Sequence, residues 1–420
     1  MRIHWIWLAT RSGLSDHSRM TVLAHFGDAE DVYYAPDDAF ADVPDLSEAA
    51  ITSLRDKNLA EAEWIAEECN LKNIQILTWR DAAYPVRLKN ISDPPVVLYY
   101  KGKLPDFDAL PLIAVVGTRS ASAYGLGTAK RLGSQIAACG GVVVSGMAYG
   151  VDGMAMRGAL TAEGFVVGVL GCGADIVYPV SNRALFADTE SQGCLLTEFP
   201  PGTPPAKWTF PKRNRIISGL SCGVLVVEAP EKSGALITAR LAAEQGRDVF
   251  VVPGNIDVDS CRGSNALLRD GAIAVGSGWD VMSEYAALYP GKIHRVTAPS
   301  HQTAYPDEVE KASREEPALK VAQKPRLPQP KRSKRTSTRK KEIDNGAPSP
   351  YIDAEEKLPP LSADEERVLS LVRQNVTLVD DMIHASGMEA GTVLTALTML
   401  EIKGVVTRLP GKRVELKKRK

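Results

Sequence analysis

Apolar and polar positions change rhythm along the chain. Over residues 1–70, stretches such as "HSRMTVLAHF" and "LAEAEWIAEECN" carry apolar residues at three-and-four spacing, which predicts amphipathic helices and a small helical N-terminal domain. From Ile74 the rhythm shortens to strand-like runs, "IQILTW" and then "VVLYYKG". Seven further apolar runs follow, "LIAVVG", "GVVVSG", "FVVGVLG", "CLLTEF", "GVLVVEA", "DVFVVPG" and "AIAVGS", each separated from the next by a helix-length segment. An unbroken apolar run predicts a strand covered on both faces, and the alternation predicts parallel strands joined by crossover helices. The expected fold class is α/β, an extended Rossmann-like, doubly wound, mostly parallel sheet over residues 71–290.

Beyond that region the periodicity stops. Residues 291–358 are rich in Pro, Lys, Arg and Ser and offer too little apolar surface to offset the entropy of ordering, so a disordered linker is expected there. Order returns in residues 359–420, where Ser362 with Glu365 forms a capping-box pattern ahead of an apolar helix. Two more helical segments and two short β runs around a Pro-Gly turn predict a winged helix-turn-helix.

Composition narrows the class. The 420 residues are 44% hydrophobic and 24% charged with a net charge of −1, so there is no global pull toward nucleic acid or membrane. The charge is uneven: Asp28 to Asp56 is acid-rich, whereas Lys320 to Lys341 contains no acid. The six cysteines form no CxxC pair and read as reduced core thiols of a cytoplasmic protein. No apolar run approaches the length of a membrane span, and "IHWIWLA" is too short for a signal-peptide core, so neither insertion nor export is expected.

In an open parallel sheet, ligands bind outside the carboxyl ends of the strands, where loops lead into helix N-termini. The loops in those places here are "GTRSASAYG", "SGMAYGVDG", "GCGADIVYPVSN", "EFPPGTPP", "EAPEKSGALITA" and "PGNIDVDS". Gly117, Gly146 and Gly234 permit close backbone approach, and Ser120, Ser122, Ser145 and Ser233 supply hydroxyls or helix caps, which together suggest anion pockets. The plainer reading is that Gly and Ser merely make tight turns. No loop carries a Walker A pattern or a GxGxxG, which argues against an ATPase or a dinucleotide oxidoreductase, and no cofactor, metal or catalytic group is expected.

Arg119 is the cation of the first loop, suited to a phosphate or, alternatively, to a surface salt bridge. The fourth loop runs on into Lys207, Trp208, Phe210, Lys212, Arg213, Asn214 and Arg215. Rings interleaved with cations suit a single strand, whose bases stack while its phosphates pair. A solvated helix start is the alternative for "KRNR", although cations at a helix N-terminus oppose its dipole, and one of the two arginines could pair with Glu198 or Glu228.

These residues resemble the DNA-processing protein A (DprA, or Smf) family. "GTRSASAYG", "SGMAYGVD", "GCGADIVYPVSN", "TEFPPGTPPAKWTFPKRNRIISGLS" and "SGALITARLAAEQGRDVFVVPG" are similar to its signature blocks in their order. The resemblance implies single-stranded DNA binding on the extended Rossmann-like domain, a homodimer through that domain, a helical SAM-like N-terminal domain and loading of the RecA recombinase in natural transformation. It further implies that Arg119 and Lys207 grip phosphates, Phe210 stacks on a base, and Arg213, Asn214 and Arg215 shape the pocket. DNA phosphates would then neutralise the crowded cations. Where family members often carry a Gly-Ile-Gly-type hairpin, this chain reads "SGLSDHS". In the winged helix the third helix sets Glu389 and Glu401 against Lys403, with Leu394, Leu397 and Leu400 as its expected core and its cations in the wing and tail at Arg408, Lys412, Arg413 and Lys417 to Lys420. Base reading in a major groove is not expected of it. The alternative function is a Rossmann-type nucleotide phosphoribohydrolase of the lysine-decarboxylase-like group, using Glu198, Glu228 or Asp175. It is disfavoured because Leu241, not an acid, stands three residues after Thr238.

Overall fold

A computed structural model describes residues 2–296, 362–373, 379–388, 390–403, 405–409 and 413–416. The chain divides into two compact units, one within residues 1–321 and one within 322–420. Apart from residues 291–296, the expected linker lies outside the described residues.

Every strand expected from the apolar runs is present in the first unit. They are β1 (Gln75–Thr78), β2 (Val97–Gly102), β3 (Leu112–Val116), β4 (Val142–Ser145), β5 (Val166–Val169), β6 (Cys194–Thr197), β7 (Gly223–Val226), β8 (Asp248–Val251) and β9 (Ile273–Ala274). They form one nine-stranded sheet in the order β1-β2-β6-β5-β4-β3-β7-β8-β9. From β3 to β9 all neighbours are parallel, while β2 pairs antiparallel with β6 and β1 antiparallel with β2. The chain winds outward from β3 to β6, then returns to place β7 on the other side of β3. That reversal makes the β3/β7 boundary the switch point of the sheet.

Alternation along each strand assigns the two faces. Ile113, Val115 and Val143 pack under α7 (Ala123–Ala138) and α8 (Val151–Thr161), whereas Leu112, Ala114, Val116 and Val144 pack under α10 (Thr209–Leu220) and α11 (Gly234–Glu244). The N-terminal helices α1 (Arg2–Thr10) to α5 (Ala60–Leu71) have no separate core. Trp5, Trp7, Leu54 and Ile65 are buried in one continuous cluster with Val97, Ile113, Val143 and Phe250.

Helices α7 and α8 approach so closely that glycine is required at their contact. A Cβ on Gly133 would run into the Ala155 carbonyl, and one on Gly158 into the Lys130 carbonyl. Backbone cannot yield as a side-chain tip does.

The second unit has helices at Ala363–Arg373, Val379–Ser386 and Ala390–Ile402 and an antiparallel hairpin of Val406–Leu409 with Arg413–Leu416. The capping box forms: the Glu365 amide donates to Ser362 Oγ at 3.3 Å and the Ser362 amide to Glu365 Oε2 at 2.9 Å. Its third helix differs from expectation at Leu394, which is 44% exposed, while Val393, Ala396, Leu397 and Leu400 form the buried face. Lys403 is salt-bridged to Glu365. Glu389 and the side chains of the wing and tail cations lie outside the described residues.

The helix contact carries a prediction. Gly158→Ala should destabilise the chain by about 1 to 3 kcal/mol, the usual cost of overpacking a filled interior. Urea unfolding followed by circular dichroism would show a lower midpoint at an unchanged slope.

Candidate nucleic-acid interface

The loops that leave the parallel strands meet on one rim, as the strand directions require. At its centre Arg119 is exposed, and its guanidinium carbon sits 5.0 Å from the centre of the Phe210 ring, a cation–π contact. Phe210 is half-buried: the Tyr178 ring lies 5.6 Å away on another side, and a Cβ on Gly171 would strike the ring edge. Arg119, Gly146, Tyr149, Gly171, Tyr178 and Phe210 line a shallow cleft. Tyr149 and Tyr178 were not singled out from the sequence, although each is the aromatic residue of a loop already placed on this edge. Lys207 and Trp208 are exposed just before α10, Trp208 by 61% with its ring edge-on to Phe199 at 5.7 Å. Neither Arg119 nor Lys207 has a carboxylate within ion-pair distance among the described residues.

The hydroxyls and glycines hold loops in shape. Ser122 caps α7, accepting from the Gly125 amide at 3.0 Å and donating to Glu228 Oε2 at 2.6 Å. Ser233 caps α11, accepting from the Ala235 amide at 3.3 Å. Ser145 is buried and donates to the Val115 carbonyl at 2.6 Å, so the expectation that it faces a ligand is corrected: its hydroxyl ties β4 to β3. Gly146 makes room for a protein group, because a Cβ there would overlap the Arg213 guanidinium. Gly234 has open space where a Cβ would stand, so no close approach within the protein demands glycine there. Met147 holds a left-handed backbone (φ 58°), and Asn182 Nδ2 donates to the carbonyls of Met147 and Ala148 at 3.0 and 3.2 Å. That non-glycine strain is fixed by a specific clamp.

The crowded cations of α10 point inward. Arg215 is 3% exposed, with Nη2 2.6 Å from Glu198 Oε2 and 3.0 Å from Asp16 Oδ2, and Nε 3.3 Å from Asp93 Oδ2. Lys212 Nζ lies 3.1 Å from Asp16 and 3.5 Å from Glu198. Arg19 closes the group, 2.8 Å from Asp16 Oδ1 and donating to the Leu8 and Arg11 carbonyls. Arg213 is buried over Gly146, donates to the Val169 carbonyl and shares its site with the buried Asp152, whose Oδ2 accepts from the Gly146 amide at 3.2 Å. Asn214 is buried with Nδ2 3.4 Å from the Gly234 carbonyl. The expectation that DNA phosphates neutralise Lys212, Arg213 and Arg215 is therefore corrected. For Lys212 and Arg215 the protein's own carboxylates do so, while the buried Arg213 guanidinium rests on the Val169 carbonyl, and the pairing of one arginine with Glu198 is the expected alternative that holds. Asp16, the residue that organises the group, was missed. It lies in "SGLSDHS", opens α2 (Asp16–Phe26) behind the Ser15 cap, and is 199 positions from Arg215.

Burial sets the electrostatics. It pushes the Asp152 carboxyl up against the opposing pull of Arg213 and Arg119, and brings the Arg213 guanidinium down to about 10 although Asp152 opposes it. Burial would also raise Asp16, but Arg215, Lys212 and Arg19 outweigh it and hold that carboxyl below the usual range. The candidate carboxylates of a hydrolase are tied up as well. Glu198 sits against Arg215, Glu228 against Ser122, and Asp175 accepts from Lys72 Nζ at 2.9 Å and the Gly202 amide at 3.0 Å.

A pH test follows. A carboxyl with a depressed folded-state pKa stabilises above its unfolded value and loses that contribution as pH falls through the folded value. Asp16→Asn should thus cost about 1.5 to 3 kcal/mol at neutral pH, the scale of a charged hydrogen bond. Thermal melts should show the gap to the parent closing as pH drops below about 4, the ordinary Asp value.

Comparison with known proteins agrees with the fold. The family model described as DNA recombination-mediator protein A matches residues 75–286, and that of the DprA winged helix domain matches residues 353–412. The chain is 31% identical to Protein Smf of Synechocystis sp. over 98% of both chains, and 38% identical to DNA processing protein DprA of Streptococcus pneumoniae over 67% of this chain and 97% of that one. An X-ray structure of DprA from Streptococcus pneumoniae superposes with a TM-score of 0.61 at 34% identity, covering 68% of this chain and 98% of that one. On these matches the chain belongs to the DNA recombination-mediator protein A (DprA/Smf) family.

Proposed function

We propose that this chain binds single-stranded DNA across the rim of its sheet and, as a homodimer through the Rossmann-like domain, helps load the RecA recombinase onto that strand during natural transformation. The setting would be the cytoplasm. One observation carries the nucleic-acid part: two exposed cations without carboxylate partners among the described residues, Arg119 and Lys207, stand beside a half-buried ring, Phe210, and an exposed one, Trp208. Unpaired bases stack on rings and their phosphates take the cations, whereas duplex DNA keeps its base faces hidden. The family and its relatives' names supply the recombination setting.

In this reading Arg119 and Phe210 change partners. The guanidinium that covers the ring turns to a phosphate and a base takes its place. Arg213, Asn214 and Arg215 shape the floor from below, with Gly146 seated on Arg213, while Ser122, Ser145, Ser233 and Gly234 keep the loops in register. Lys212 stays with Asp16.

A mobility shift with full-length protein should favour single strands over duplex of the same sequence. The salt dependence separates direct from supporting cations. Two phosphates at about 0.7 each give a slope near 1.4 on a short oligonucleotide, and five cations would give about 3.5. Arg119→Ala and Lys207→Ala should each lower the slope by about 0.7 and leave thermal stability unchanged. Phe210→Ala should cost about 1 to 3 kcal/mol of binding with the slope intact. By contrast Arg213→Ala should lower the melting temperature along with binding, because it strands the buried Asp152. Equal affinity for duplex and single strands would remove the proposal.

A further inference from the structure

Sheets wound in this way receive a free nucleotide at the switch point, with its phosphates on the N-terminus of the helix after the first strand. Here that helix is α7, and the place is filled by the protein itself. Glu228, on the exit of β7 across the switch point from β3, is 1% exposed. Its Oε1 accepts from the Ser122 amide at 3.1 Å and its Oε2 from the Ser122 hydroxyl at 2.6 Å. The seat is built for it: a Cβ on Gly125, in the first turn of α7, would collide with the carboxylate. The backbone of Glu228 serves the same loop, its carbonyl accepting from the Thr118 amide at 2.7 Å and, with the Val151 side chain, leaving no room for a Cβ on Gly117. Among the described residues no cation lies within ion-pair distance of Glu228, so its charge is met by the helix N-terminus and the hydroxyl.

We infer that Glu228 determines specificity by exclusion, its carboxylate occupying the anion seat of α7 so that free nucleoside phosphates are turned away from the rim. A nucleoside diphosphate entering this crevice meets a buried like charge and a filled volume. A polynucleotide does not need the seat, because Arg119 and Lys207 reach its phosphates from side chains outside it. The closing of the seat to free nucleoside phosphates rests on the sheet topology and the Glu228 contacts alone, whereas the resulting preference for a polynucleotide rests on the proposed function.

The test is titration calorimetry of the full chain with inorganic pyrophosphate and, separately, ADP. The wild-type chain should show no saturable binding. Glu228→Gln, of the same shape without the charge, and Glu228→Ala, which also empties the volume, should each gain at least tenfold in pyrophosphate affinity. Adding Ser122→Ala to the Gln variant should remove the gain. Wild-type binding as tight as the variants' overturns the inference before any variant is compared. So does a folded Gln variant, checked by its melting curve, that gains nothing, and so does a gain indifferent to Ser122. Single-strand binding by the wild-type chain, measured in parallel, reports on the proposed function alone.

Discussion

The meeting of Arg215 with Glu198 and Asp16 under the rim is the constraint on which the rest of the first unit depends. Removing a guanidinium from water costs several kcal/mol unless partners replace the water, and here they come from three parts of the chain: the exit of β6, the start of α2 and Asp93 before β2. A buried pair is weak evidence of net stability against an apolar alternative, but breaking it is expensive. The cluster therefore fixes geometry. It locks the first turns of α10 to the end of β6 and makes the N-terminal helices part of the sheet's carboxyl edge. Phe210, five positions from Arg215 on the same helix, inherits its position from that lock.

The same logic explains why the rim holds together as a surface. Arg213 cannot lie over Gly146 unless β4 ends where it does, and the Ser145 hydroxyl and the Asp152 carboxylate hold that end in place. Asn182 then fixes the strained Met147 turn, and the loop carrying Tyr149 is set before any ligand arrives. On the proposed function a preordered rim would lose little freedom when a strand lies across it, so more of the contact energy would remain as affinity.

How much of this was legible in the sequence depends on the range of the interaction concerned. Strands from "LIAVVG" to "AIAVGS" were readable because burial on both faces leaves an unbroken apolar signature, and the rim loops followed from strand direction alone. The capping box at Ser362 was readable because its partners are three residues apart. The inward turn of Arg213 and Arg215 was not. Local sequence shows three cations in four residues, and nothing in it reveals that an aspartate at the start of α2 stands opposite. The helix dipole disfavours a solvated cluster of cations at the start of α10, but it does not select which anion answers the charge. Leu394 was misplaced for a related reason: spacing of three fits either of two adjacent faces, and packing chose the one with Val393.

Inward cations also sharpen what the remaining ones mean. A helix that spends Lys212 and Arg215 on the protein's own carboxylates and buries Arg213 has little charge left for a ligand, so on the proposed reading attraction to a polyanion would rest on few contacts and be weakened only gently by salt. On that reading rings would supply more of the binding, and rings discriminate by whether bases are available to stack. An interface that bound in this proposed way would read the single-stranded state more than the charge that every nucleic acid shares. On the proposed function that balance would matter, because the chain would have to hold an unpaired strand without competing for the far larger amount of duplex around it.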